Sequence, residues 1–149
     1  MIENFSKIDE IDKKILDILK ENSKEKIINI SKKLGLPMST IYNRIKRMEE
    51  EKIIEKYTLL INYKKLGFYI KSLIFIKYDP NSNISQKELL QNLLKSNNIE
   101  KGYIITGEWD ILIIARFRNI DEMSSFILDR LRNFKGIKET YTMVILEES

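Results

Sequence analysis

Residues 36–49, LPMSTIYNRIKRME, carry the densest set of side chains suited to recognition chemistry. Hydroxyls at Ser39 and Thr40, a phenol at Tyr42 and a carboxamide at Asn43 are interleaved with three cations, Arg44, Lys46 and Arg47. Placed on a helical wheel at about 100° per residue, Ile41, Ile45 and Met48 fall within one narrow arc. Ser39, Asn43, Lys46, Arg47 and Glu50 fall opposite. One face is therefore fit to pack on a small core and the other to touch something anionic. Pro37 in the first turn would start this helix, because its missing N–H costs nothing there.

Composition removes other chemistries. The 149 residues include no Cys and no His. Disulfides, thiolate nucleophiles, imidazole bases and nearly every transition-metal site other than a carboxylate one are thereby excluded. No apolar run approaches the roughly 20 residues needed to cross a bilayer, and residues 1–6 lack the basic-then-apolar pattern of an export signal. The expectation is a cytosolic, cytoplasmic protein with no membrane partner and no cofactor. Net charge is +4. Residues 1–65 hold 15 Lys/Arg against 11 Asp/Glu, and residues 66–149 hold 11 against 11, so the excess lies in the first part. Within it, residues 24–47 carry seven basic side chains and one acid, Glu25. Such a cluster is a footprint for phosphate, and equally the solvated face of a Lys-rich protein.

The elements that must position the basic helix precede it. Ile8, Ile11, Ile15, Ile18 and Leu19 recur at three- and four-residue steps and predict an amphipathic helix over 8–22, with Asp9, Asp12, Lys13, Asp17 and Lys20 on its solvated side. A shorter helix over 24–34 buries Ile27, Ile30, Ser31 and Leu34 and closes at Gly35, which takes positive φ without a steric penalty. Only Gly35, Leu36 and Pro37 then remain before the basic helix, and so short a turn forces the two helices to cross steeply, as in a helix-turn-helix. Residues 53–63, IIEKYTLLINY, are β-branched and aromatic and predict an exit strand or wing. Residues 64–68 read as a hinge.

The second part predicts a strand over 70–78 that stops at Asp79-Pro80, and a helix opened by the capping box Ser85 to Glu88. Strands follow over 99–106 and 111–117, joined at Gly107-Glu108-Trp109-Asp110. Asp121 is expected to cap a helix carrying Met123, Phe126, Ile127, Leu131 and Phe134, and 137–146 is the last strand. Strand, helix, strand, strand, helix, strand is the ferredoxin-like βαββαβ plan, so the fold class is α+β: an N-terminal, winged helix-turn-helix domain and a C-terminal ferredoxin-like domain. The domains are placed at 1–52, 53–69 for the wing and hinge, and 70–149. The strands are apolar at both parities, Leu73 and Phe75 as well as Ile74 and Ile76. Helices cover only one face of such a sheet, which favours self-association over cover by the wing or the helical domain.

Laid out in full, the chain resembles the Lrp/AsnC (leucine-responsive regulatory protein/asparagine regulator, feast/famine) family of transcription factors over nearly its whole length. Residues 8–12 with Ile15-Leu16 look like the family's opening helix. Leu34-Gly35-Leu36, Ser39-Thr40-Ile41, Arg44-Ile45 and Arg47-Met48-Glu49 match its turn and recognition helix, and Ile53-Ile54 with Tyr57-Thr58 its exit strand. Thr106-Gly107-Glu108-Trp109-Asp110 looks like its T-G-x-x-D turn, and Gly136-Ile137 with residues 140–142 its closing strand. Two positions depart from the pattern: Pro37 stands where the family usually has Ser, and Lys52 where it usually has Gly.

The resemblance implies a sequence-specific DNA-binding transcriptional regulator, not an enzyme, whose partners are double-stranded DNA, an amino acid or similar small effector, and a second copy in a homodimer able to assemble to a tetramer or octamer. With the recognition helix entering the major groove N-terminus first, Met38, Ser39, Thr40, Tyr42 and Asn43 would reach base edges. Asn43 suits adenine, and Thr40 or Met38 a thymine methyl. Lys46 and Arg47, with Lys24, Lys26, Lys32 and Lys33, would hold phosphates, and Arg44 is divided between a phosphate contact and an internal ion pair. The effector is expected near residues 106–110: Gly107 permits a tight backbone whose N–H groups can receive a carboxylate, Asp110 can pair with an amine, and Trp109 can wall a pocket. The same residues also make an ordinary hairpin, with Asp110 capping the turn and Trp109 filling an interface. Glu108 completes the set. Two alternatives share the layout: a tetrapyrrole (sirohaem) decarboxylase, whose chemistry is expected to use a His that this chain lacks, and a DNA-packaging protein without specificity.

Overall fold

The computed structural model describes residues 7–149, and the expectation about an export signal falls outside that range. The chain divides into two compact units, one running to Leu60 and the other covering Ile61–Ser149.

The first unit holds three helices, α1 (Glu10–Glu21), α2 (Ile27–Leu34) and α3 (Met38–Glu50). Helix α1 starts with a reciprocal capping box: the Asp12 N–H donates to Asp9 Oδ1 at 2.9 Å and the Asp9 N–H to Asp12 Oδ2 at 3.1 Å. Two of the orphan donors at a helix start are satisfied this way. Helix α2 ends on Gly35 at φ +65. Pro37 sits one place earlier than expected: it flanks the first turn of α3, with ψ 144, and its carbonyl accepts from Thr40 N at 3.1 Å and Ile41 N at 3.3 Å. Only Leu36 separates it from Gly35, and its extended ψ is used to redirect the chain before the helix begins. Ile15, Leu19, Ile30, Ile41 and Met48 form the buried centre, with Ile11, Ile27, Leu34 and Ile45 packed around it.

No strand or wing forms over 53–63. Lys52 takes φ +58, Ile54 N donates to Met48 O at 3.0 Å, and Ile53 and Ile54 fold back onto the helical core. From there residues 57–62 run without a ladder into a 3-10 turn, Tyr63–Leu66, and Leu59 and Leu60 stand exposed. A β-branched run specifies extension; a strand also needs a neighbour to receive its N–H and C=O groups, and among the described residues no strand pairs with this run.

The second unit is built from β1 (Ile70–Tyr78), α4 (Gln86–Leu93), β2 (Ile99–Ile104), β3 (Ile111–Phe117), α5 (Ile120–Ser125) and β4 (Ile137–Val144). The sheet order is β2-β3-β1-β4 and every pairing is antiparallel, which is the ferredoxin-like arrangement. Ser85 caps α4, accepting from Glu88 N at 3.1 Å. The cap of α5 is Asn119, not Asp121: its Oδ1 accepts from Glu122 N at 2.8 Å, and Asp121 lies in the first turn. Asn119 stands three residues before Glu122, the spacing a cap requires. The expected long helix is broken, α5 passing into a π-helical turn, Phe126–Arg130, and a 3-10 turn, Leu131–Asn133.

Ile74, Ile76, Ile111, Ile113, Ala115 and Phe117 pack beneath Leu89, Leu93, Phe126 and Leu131. Leu73, Phe75, Leu112 and Ile114 alternate with them, pairing as Leu73 with Ile114 and Phe75 with Leu112, and so point to the other face of the sheet. Tyr141 and Met143 of β4 stand opposite Phe75 and Leu73 and remain half exposed.

Candidate nucleic-acid interface and effector turn

Ser31 closes the turn between α2 and α3, whose apolar faces share one core. Leu36 N donates to the Ser31 carbonyl at 3.2 Å, and Ser31 Oγ donates back to the Leu36 carbonyl. Ser31 falls on the inner arc of α2 in the sequence, and its hydroxyl closes the turn between the helices. With the turn fixed, Ile41 and Met48 point inward, and Met38, Ser39, Tyr42, Asn43 and Lys46 emerge on the outer surface. Thr40 is half-buried. Met38 and Tyr42 are 50% and 52% exposed. Lys26, exposed, stands at the start of α2, and Lys33 pairs with Glu25 at 3.2 Å.

The two arginines of α3 turn toward α1. Arg44 Nη1 lies 2.6 Å from Asp9 Oδ2 and 3.1 Å from Asp12 Oδ1, and Arg47 Nη2 pairs with Asp12 Oδ2. Of the two roles open to Arg44, the structure shows the ion pair. Asp12 corrects the sequence reading: assigned to the solvated side of α1, it is 0% exposed. Burying a carboxylate is costly unless it is paired and hydrogen-bonded. Here two guanidinium groups, reaching it from 32 and 35 residues away, and the Asp9 N–H supply that. The Arg44 guanidinium, followed by the Asp12 N–H, holds the Asp9 carboxyl down at about 2, and the two carboxylates raise Arg44 in turn.

The turn at residues 106–110 is divided. Asp110 is engaged by the fold: its N–H donates to Ile76 O at 3.0 Å, its carbonyl accepts from Ile105 N at 2.9 Å, and its Oδ2 accepts from Tyr78 N at 2.8 Å. Trp109 stacks on Tyr141 with ring centroids 5.9 Å apart and lies 6.2 Å from Phe75, while Lys77 Nζ sits 5.4 Å from its ring centre. Trp109 thus belongs to the aromatic cluster on the face of the sheet opposite the helices. Thr106, Gly107 and Glu108 remain exposed, with Gly107 at φ +111.

Comparison with known proteins decides what these parts compose. Residues 8–49 match the AsnC-type helix-turn-helix domain, and residues 71–149 match the Lrp/AsnC ligand binding domain. An uncharacterised HTH-type transcriptional regulator of Pyrococcus furiosus is 43% identical over 137 residues, covering 92% of this chain and 91% of the relative. The chain belongs to the Lrp/AsnC family. The HTH-type transcriptional regulator FL11 of Pyrococcus abyssi is 36% identical over 140 residues, covering 94% of this chain and 90% of that protein. Among solved structures, a Neisseria meningitidis transcriptional regulator in complex with L-Met superposes with a TM-score of 0.87 at 24% identity, covering 95% of this chain and 92% of that one. Escherichia coli AsnC gives 0.85 at 24% identity, covering 96% and 95%.

This Lrp/AsnC protein is therefore a transcriptional regulator with a helix-turn-helix DNA-binding domain and a ligand-binding domain. Its two departures from the family pattern are resolved in different ways. At Pro37 the side-chain cap is lost and no other side chain replaces it. At Lys52 the left-handed conformation is kept, now by a residue with a Cβ. Among the described residues, no helix is long and apolar enough to cross a membrane, and no group of three or more Asp and Glu is placed to hold a metal ion.

Proposed function

We propose that the outer stripe of α3, Met38, Ser39, Tyr42 and Asn43 with Thr40 at its edge, reads bases in the major groove, and that Lys46 and Lys26 hold the flanking phosphates. The observation that carries this reading is that these side chains are exposed on a rigid, packed helix while the arginines beside them are bound to Asp9 and Asp12. A helix satisfies its own backbone, so its outer side chains stay available for recognition. The apolar sheet face bearing Leu73, Phe75, Tyr141 and Met143 supports a homodimer, able to assemble further, that presents two such helices to an inverted repeat with half-sites about one turn apart. The protein works in the cytoplasm as a sequence-specific regulator. Lys46→Ala is expected to weaken binding to every duplex and to lower the slope of log affinity against log salt by about one. Asn43→Ala is expected to cost roughly 1–3 kcal/mol at one base pair and relax preference there. Salt titration on selected and mixed-sequence duplexes measures both; two variants indistinguishable from wild type would move the interface elsewhere.

The effector reading places an amino acid at residues 106–110. Gly107 leaves backbone N–H groups near the surface, Thr106 offers a hydroxyl, and Glu108 is the exposed carboxylate available to an amine, because Asp110 is already accepting from Tyr78. A panel of the common amino acids is expected to contain one that raises the melting temperature; about 2.7 kcal/mol of stabilisation is expected at a hundredfold excess over Kd. A panel in which none changes stability or DNA affinity removes the effector claim.

A further inference from the structure

We propose that Asp12 is a positioning residue for DNA binding: buried between α1 and α3, it fixes the Arg47 guanidinium so that the exposed edge of that group meets a DNA phosphate. The inference rests on the reading of α3 as the DNA-facing helix. An Arg–carboxylate pair frequently uses the guanidinium fork, two parallel N–H donors on two oxygens. Arg47 does not do this. It reaches Asp12 through Nη2 alone, its Nε is buried with no partner, and its side chain is 37% exposed. Arg44 is the more enclosed of the two, 25% exposed, and spends one nitrogen on both Asp9 and Asp12. Asp12 therefore anchors two cations of unequal exposure, and Arg47, held by one carboxylate where Arg44 is held by two, is the one with the more open edge.

Anchoring matters because a free arginine loses about 2 kcal/mol of side-chain entropy when it is fixed on a ligand. A guanidinium already held by a buried carboxylate has lost most of that freedom before DNA arrives. Asp12 and Asp9 also tie α1 to α3, so the same contacts set the angle at which the stripe is presented.

The sign of one mutation separates positioning from bulk charge. Asp12→Asn removes a negative charge and makes the protein more cationic. If only bulk charge mattered, its affinity for a mixed-sequence DNA duplex would rise. Positioning requires a fall: about tenfold near 0.1 M salt, with the log–log salt slope smaller by about 0.9, the signature of one lost phosphate contact. Arg47→Gln is expected to show the same loss while leaving Asp12 paired with Arg44, so it serves as the second variant should Asp12→Asn fail to fold. In the Arg47→Gln background, Asp12→Asn is expected to add less than twofold. Unchanged or tighter binding by Asp12→Asn, an unchanged slope in Arg47→Gln, or additive losses in the double variant would each overturn the role of Asp12. A wild-type protein with no salt-dependent affinity for duplex DNA would instead overturn the reading of α3 itself.

Discussion

The outer stripe of α3 and the turn at residues 106–110 are both polar surface segments, yet their side chains have opposite fates. In α3 the backbone bonds to itself, and Ser39, Tyr42, Asn43 and Lys46 emerge exposed. At the turn the ladder between β1 and β3 ends at the pair Ile76 and Ile111, which leaves the Tyr78 N–H in need of an acceptor, and Asp110 provides it at 2.8 Å. Trp109 is drawn into the stack with Tyr141 and Phe75. Regular structure frees side chains for recognition, whereas the end of a ladder consumes them. Of the turn, Thr106, Gly107 and Glu108 stay exposed, and the proposed effector contacts fall to them.

Replacement of Asp110 should give the largest effect and bears most directly on this contrast. Asp110→Ala leaves the half-buried Tyr78 N–H without a partner and is expected to cost roughly 1–3 kcal/mol in the sheet unit. Asp110→Asn keeps a carbonyl acceptor and is expected to recover more than half of that loss. By contrast, Ser39→Ala and Asn43→Ala should each move stability by less than about 0.5 kcal/mol while changing DNA binding. Denaturant melts of the four variants make the test. A destabilising Asn43→Ala, or an Asp110→Ala as stable as wild type, would break the distinction, and the second outcome would return Asp110 to the pool of ligand-binding groups.

What could be read in the sequence follows from how far each determinant reaches. Periodicity located every helix and sheet strand of the two units, because the arc of Ile41, Ile45 and Met48 and the runs of β1 and β3 are local properties. Capping was legible to within two residues: Asn119 and Asp121 can both accept from a helix start, and only the chain path picks Asn119. Asp12 was misplaced because a charge on an amphipathic helix is solvated by default. Its burial depends on Arg44 and Arg47, 32 and 35 residues on, which no local pattern encodes. The exit strand failed for a related reason: the β-branched and aromatic residues of 53–63 favour extension, but among the described residues no strand pairs with them. At the recognition helix the residue types pointed to the exposed stripe. The sequence did not show that both arginines are tied to α1, and the proposed positioning of Arg47 rests on that tie.

The smallest effect concerns the two positive-φ positions that punctuate these regions. Gly107 at φ +111 lies beyond what a side chain readily adopts, whereas Lys52 at φ +58 lies in the left-handed helical region, where a Cβ costs about 1–2 kcal/mol. Lys52→Gly relieves that strain but gives part of it back, because glycine has more freedom to lose on folding, about 0.4–1 kcal/mol. The net expectation is a gain of roughly 0.5 kcal/mol in the helical unit, a rise of about 2–4 °C in its melting temperature. Lys52 lies beyond the end of α3 and off the proposed stripe, so the salt slope of DNA binding should stay as in wild type. If the slope instead falls by about one, Lys52 is a phosphate contact. The strain at the end of α3 would then be kept for function, as strained positions at working sites usually are, and the interface would extend past the helix into the exit segment.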